Sequence, residues 1–261
     1  MGLTPLPLLL PVPTRNNPPA GRESPLLCYV TDRRALRVAN PAESLAALTR
    51  KIEEIASAGV DWVQVREKDL TAGELASLTR QSLRIASNLP AKRSCAIRVL
   101  LNDRLDVAIA ERSGGVHLGE KSLPLSEAKR LIQSVPLKQT IGESFLTGVS
   151  CHSLEAAEAA ERDGAHYIFF GPVFATPSKE TFGPPQGTER LREVCRSVSI
   201  PVLAIGGITL DNAESCVVAG AAGIAAIRLF QDAIDPISVL ERLHQLFTGY
   251  RRRLPAGRPW A

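Results

Sequence analysis

The stretch LTGVSCHSLEAAEAAERDGAHYIFFGP, Leu146–Pro172, holds the unit from which the chain is built. LTGVSCH (146–152) and AHYIFF (165–170) are short apolar runs rich in β-branched and aromatic residues, as buried strands are. Between them LEAAEAAERD is amphipathic, with Ser153 placed to cap its start and Gly164 to end it. The unit is strand, helix, strand.

Six further apolar runs repeat the pattern: LLCYVT (26–31), DWVQVR (61–66), AIRVLLN (96–102), GGVHL (114–118), PVLAIGG (201–207) and AGIAAI (222–227). Ser126 is placed to cap the helix EAKRLIQ, and Thr209 to cap LDNAESCVVA before Gly220. The strands are nearly all apolar rather than alternating, so they should be covered on both faces, as parallel strands are. Eight β–α units in a chain of 261 residues predict an α/β fold, a single (β/α)8 barrel over residues 26–250. The rival is an open doubly wound sheet. Its nucleotide-binding form is weakened because no G-x-G-x-x-G follows the first strand.

The bulk properties exclude several partners. The net charge of +4 sits at the ends: Arg15 and Arg22 against Glu23 in residues 1–25, and four arginines in residues 251–261. The remainder carries a net charge near −1, which argues against a nucleic-acid-binding face. The Pro-rich residues 1–25 read as a disordered extension, too broken by proline for a signal peptide or membrane span, and residues 251–261 as a basic tail. Cys28, Cys95, Cys151, Cys195 and Cys216 have neither metal-type nor C-x-x-C spacing, which fits a reducing cytoplasm. Whether the chain forms a homo-oligomer stays open.

In a barrel of this kind chemistry collects after the strands. Gln64, Arg66 and Lys68 follow the second strand and share one side by alternation; they suit phosphate oxygens or a solvated strand end. Asn102 and Asp103 end the third strand, where Asp103 is a helix cap or a Mg²⁺ ligand. Ser150, Cys151 and His152 end the fifth. His152 could shuttle a proton, while Cys151 should face away as a small buried residue. The long loop GPVFATPSKETFGPPQG (171–187) offers Thr176, Ser178 and Lys179 to an anion. Gly206 and Gly207 after the seventh strand form either a tight turn or an anion nest; within a barrel, phosphate is favoured.

The ordered series QVREK, NDRLDVAIA, GGVHLGEKSLP, GVSCHS, FFGPVFATPSK, AIGGIT and AGAAGIAAI resembles the thiamine-phosphate synthase family, which includes a thiazole tautomerase (TenI-type) branch. The resemblance runs from about Leu27 to Pro236. It implies a transferase that joins a hydroxymethylpyrimidine diphosphate to a thiazole phosphate, or its carboxylated form, and releases pyrophosphate with the help of Mg²⁺. By the same resemblance Arg66, Lys68, Asn102 and Lys179 would hold the diphosphate. Gln64 and Ser150 would lie near the pyrimidine, and Val65 and Glu67 would be among the substrate-binding residues. Thr176, Pro177, Ser178, Gly206, Gly207, Ile227 and Arg228 would lie at the thiazole phosphate, and Asp103 with Ser122 at the metal.

Two departures stand out. Ser122 occupies a position that is usually acidic in the synthases, with Glu120 near enough in sequence to substitute. Arg228 stands where the family usually has serine. The tautomerase branch would use His152 as acid and base and need no Mg²⁺. A third reading is a non-catalytic sensor of thiamine precursors. The intact QVREK set favours the synthase.

Overall fold

The computed structural model describes residues 24–38, 40–89, 97–134, 145–176 and 184–253. Eight strands form a closed, all-parallel barrel in sequence order, β1 pairing with β8. They are β1 (Leu26–Val30), β2 (Trp62–Val65), β3 (Arg98–Asn102), β4 (Gly115–Leu118), β5 (Leu146–Cys151), β6 (Tyr167–Phe170), β7 (Val202–Ile205) and β8 (Gly223–Ala226). Each lies within its predicted run. Around them stand α1 (Ser44–Ala58), α2 (Ala72–Asn88), α3 (Leu105–Ala110), α4 (Leu125–Ser134), α5 (Leu154–Arg162), α6 (Gly187–Ser197), α7 (Ala213–Val218), α8 (Arg228–Gln231) and α9 (Pro236–Arg253).

The strands bury both faces because each serves two cores. Alternate residues Leu26, Cys28, Val30, Trp62, Leu100, Tyr167, Phe169, Leu203 and Ala225 fill the barrel interior. The residues between them, among them Leu27, Tyr29, Val63, Val65, Leu101 and Phe170, pack outward against the helices. On α1 the buried Leu48, Ile52 and Ile55 recur at helical spacing and face that outer core. Full burial of each such side chain contributes about 1.5–3 kcal/mol.

The helix boundaries follow local chemistry. Ser153 caps α5 by accepting the Ala156 N–H, and α2 begins with a capping box of Thr71 and Glu74. Two expected caps are corrected. Ser126 lies inside the first turn of α4, because the Pro124 carbonyl already accepts the Ala128 N–H. Thr209 does not cap α7: Asn212 accepts the Thr209 N–H and donates to the Gly207 carbonyl, holding the preceding residues in a loop until Ala213. The proposed N-terminal extension lies outside the described residues up to residue 23. So does the C-terminal tail from residue 254, whereas residues 251–253 continue α9. Among the described residues no helix is long and apolar enough to cross a membrane.

The lower interior depends on one missing side chain. Gly148 on β5 faces the Tyr167 ring, and a Cβ there would meet Tyr167 Cζ at 2.1 Å. Tyr167 in turn packs edge-on against Trp62, ring centroids 4.9 Å apart. A Gly148→Ala protein must displace this stack. Its melting curve should show a loss of about 1–3 kcal/mol, the usual cost of overpacking; unchanged stability would contradict the packing described.

Candidate functional site

Two cavities open side by side at the C-terminal ends of the strands. The larger encloses about 680 Å³ and is lined by Gln64, Arg66, Lys68, Asn102, Asp103, His117, Ser122, Ser150 and His152, with Asp32, Glu120, Lys121 and Phe169. The smaller, about 260 Å³, is lined by Thr176, Gly206, Gly207, Thr209 and Arg228. Asp32, Ile205 and Ile227 belong to both walls. The described residues singled out in sequence, Val65 and Glu67 apart, thus fall into two adjoining groups. Pro177, Ser178 and Lys179 lie outside the described residues.

Strand alternation decides which side chains reach the larger cavity. Gln64, Arg66 and Lys68 line it. Val65 packs into the outer core, and buried Glu67 bonds to Thr31 and Arg33. Neither Val65 nor Glu67 lines either cavity. On β5 the same period puts Ser150 and His152 at the cavity and Cys151 in the outer core. Burial pushes the Cys151 thiol up to about 12, so it holds its proton at neutral pH and does not serve as a nucleophile.

The floor is a polar network. Gln64 Nε2 donates to Asn102 Oδ1 at 3.0 Å. Gln64 Oε1 is buried without a hydrogen-bond partner among the described residues, an unmet acceptor at the cavity. His117, which sequence reasoning passed over, sits on β4 between Ser150 Oγ at 2.9 Å and the Tyr167 hydroxyl at 3.2 Å. Phe169 packs its ring on His117 with centroids 4.2 Å apart. The one available signal was a polar side chain on the inward period of GGVHL.

The rim carries the charges. Among the described residues Arg66, Lys68 and Lys121 are matched in number by the carboxylates Asp32, Asp103 and Glu120. The head groups of Arg66 and Lys68 have no ion pair or hydrogen bond to a described residue. Asp103 has the left-handed backbone (φ 62°) and does not cap α3. Its carboxylate accepts from the Gly119 N–H at 3.1 Å, from Asn102 Nδ2 at 2.6 Å and from the Ser122 hydroxyl. Among the described residues no three His, Cys, Asp or Glu side chains are grouped to hold a metal. One carboxylate with a hydroxyl beside it still fits Mg²⁺, which binds through one or two carboxylates, several waters and substrate phosphates.

In the smaller cavity Gly206 (φ 96°) and Gly207 (φ 64°) take a conformation that other residues avoid. The Phe174 N–H donates to the Gly206 carbonyl, and a Cβ on Gly207 would lie 2.5 Å from the Ala175 carbonyl. The turn is therefore both tight and packed against the β6 loop. Exposed Arg228 adds a cation to this wall, and its guanidinium forms no hydrogen bond or ion pair with a described residue. His152 Nδ1 meets the Gly171 carbonyl. A carbonyl only accepts, so Nδ1 carries the proton and Nε2 is the basic nitrogen of the neutral ring.

The model of a protein family described as thiamine monophosphate synthase matches residues 35–230. The chain belongs to that family. It is similar to the thiamine-phosphate synthase of Roseiflexus castenholzii, 37% identical over 218 residues that cover 84% of this chain and 85% of the relative. It is also similar to that of Anaeromyxobacter dehalogenans, 38% identical over 193 residues, 74% of this chain and 80% of the relative. Among solved structures, thiamine phosphate pyrophosphorylase from Pyrococcus furiosus superposes with a TM-score of 0.70 at 30% identity, covering 86% of this chain and 96% of the other.

The thiol chemistry of this family member is testable. Cys28, Cys151, Cys195 and Cys216 are all buried, and burial raises each thiol, the last three to about 12. A Cys95→Ser protein, native at about pH 8 where an ordinary thiol is partly ionised, should give no fast reaction with a disulfide reagent until it is denatured. Rapid labelling of Cys151 would contradict its outward burial.

Proposed function

We propose that this chain is a thiamine-phosphate synthase. It would join 4-amino-2-methyl-5-hydroxymethylpyrimidine diphosphate to the thiazole phosphate and release pyrophosphate; from the carboxylated form of the thiazole, CO2 would leave as well. The observation that carries this reading is the pair of adjoining cavities. One presents two unpartnered cations over a buried amide acceptor; the other presents a glycine turn with Arg228. Two substrates, each with its own anionic end, suit two such pockets with a common wall.

In this reading Gln64 Oε1 accepts from the pyrimidine amino group, which relieves its buried and unmet state. Ser150, held by His117, lies beside the same ring, and Phe169 supplies an apolar face. Arg66 and Lys68, with Asn102 and Lys179, take the diphosphate. The bond between the pyrimidine methylene and the diphosphate oxygen breaks, and its electrons leave with pyrophosphate. The thiazole nitrogen then gives its lone pair to the methylene carbon. Thr176, Ser178, Gly206, Gly207 and Arg228 hold the thiazole phosphate so that this nitrogen faces the shared wall of Asp32, Ile205 and Ile227. Positioning and charge stabilisation account for the rate, without a covalent enzyme intermediate.

The balance of three cations and three carboxylates among the described lining residues supports a metal requirement, since Lys179 alone would add little against a diphosphate's charge. Asp103 and Ser122 would hold Mg²⁺, with Glu120 near, and the ion would offset the charge that develops on the leaving diphosphate. The tautomerase reading is favoured by Ser122 at the usually acidic position and by His152, which lines the larger cavity with Nδ1 held at the Gly171 carbonyl.

Purified protein given both substrates should form thiamine phosphate, read by mass spectrometry, only with Mg²⁺. Asp103→Ala should lower turnover by about 10²-fold or more, the scale of losing one main electrostatic stabiliser. Full Mg²⁺-dependent turnover in Asp103→Ala would overturn the metal assignment. Absence of product from folded protein, with isomerisation of the thiazole carboxylate phosphate that fails in His152→Ala, would replace the synthase by the tautomerase.

A further inference from the structure

The side of the β2–α2 segment that faces away from the cavity is tied down by charges with no part in binding. The Glu67 side chain is 2% exposed. It accepts from the Thr31 hydroxyl at 2.7 Å, from the Arg33 N–H at 3.2 Å and from Arg33 Nη1 at 3.1 Å. The same guanidinium grips Asp69 with both arms, each 2.6 Å long. Thr31 Oγ1 also accepts the Arg66 N–H at 2.9 Å. A carboxylate buried to this degree is costly unless fully paired, and here it is paired to a neighbouring loop.

The clamp alternates with the cavity-facing residues. Val65 is fixed in the outer core, and Glu67 and Asp69 are fixed by Arg33. Arg66 and Lys68 stand between these anchors and line the larger cavity. Every second residue is therefore held, and those left over are the two unpartnered cations. We propose that Arg33 is a positioning residue for the diphosphate end of the site: by clamping Glu67 and Asp69 it sets the path of residues 66–68, and so the directions from which Arg66 and Lys68 enter the cavity. This rests on the synthase reading. The gain is pre-organisation, since long side chains on a wandering backbone lose more freedom on binding.

Arg33→Met removes the guanidinium that joins Glu67 to Asp69, leaving the residue-33 N–H and the Thr31 hydroxyl on Glu67 and Arg34 on Asp69 at 2.8 Å; Glu67→Gln weakens the clamp while keeping an acceptor for Thr31 and serves if the first variant does not fold. Inorganic pyrophosphate with Mg²⁺ is the probe, titrated calorimetrically into full-length folded protein. Both variants should bind it about 10-fold more weakly, a displacement cost expected for misplaced binding groups. The KM for the pyrimidine diphosphate should rise with it, while the KM for the thiazole phosphate stays as in the parent. Unchanged pyrophosphate affinity in folded variants, or an equal rise in both KM values, would overturn the role. Failure of the parent protein to bind pyrophosphate would overturn it too. Parent protein that binds pyrophosphate, loses it in both variants and makes no thiamine phosphate would keep the clamp and remove the synthase reading.

Discussion

The two-residue period of strands in a closed parallel barrel is the constraint on which the rest depends. Closure leaves each strand with an inside and an outside and no edge. Inside, the lower positions fill with Cys28, Trp62, Leu100 and Tyr167, so the barrel is solid rather than a pore. The same inward rows, followed upward, emerge at the mouth as Gln64, Asn102, His117, Ser150, Ile205 and Ile227. Packing and chemistry therefore share one geometry. The rows between, ending in Val65 and Cys151, belong to the helix-facing core and are withdrawn from the site.

The two cavities follow from which loops are long and which are tight. The glycine turn after β7 is pressed against the β6 loop through Phe174 and Gly206. This contact brings the second pocket beside the first, with Asp32, Ile205 and Ile227 as their common wall. On the opposite flank, Gln231 binds the Asp32 backbone from α8, accepting its N–H at 3.3 Å and donating to its carbonyl at 2.8 Å. With Arg33 clamped next door, the β1 loop that brings Asp32 to the wall between the pockets is tied from both sides.

Much of this was legible in the chain. The eight strands were readable because each is a short apolar run bounded by helix caps and glycines, and the burial of both faces followed from the lack of polar alternation. Gln64, Arg66 and Lys68 could be placed on one side by counting alone. The misread caps at Ser126 and Thr209 lost to neighbours: the Pro124 carbonyl and the Asn212 amide formed bonds that composition does not announce. His117 was passed over because one polar residue in an apolar strand reads as core. Glu67 belongs to the recognisable QVREK motif, yet its partner Arg33 lies 34 positions away, and only the fold brings them together.

In the proposed reaction the larger cavity would hold the diphosphate and the smaller one the single phosphate. A crystal structure of the protein with inorganic pyrophosphate and Mg²⁺ tests it most directly. Pyrophosphate should lie between Arg66 and Lys68, with the ion at Asp103. Pyrophosphate seated instead at Gly206, Gly207 and Arg228, with Arg66 and Lys68 unengaged, would contradict it.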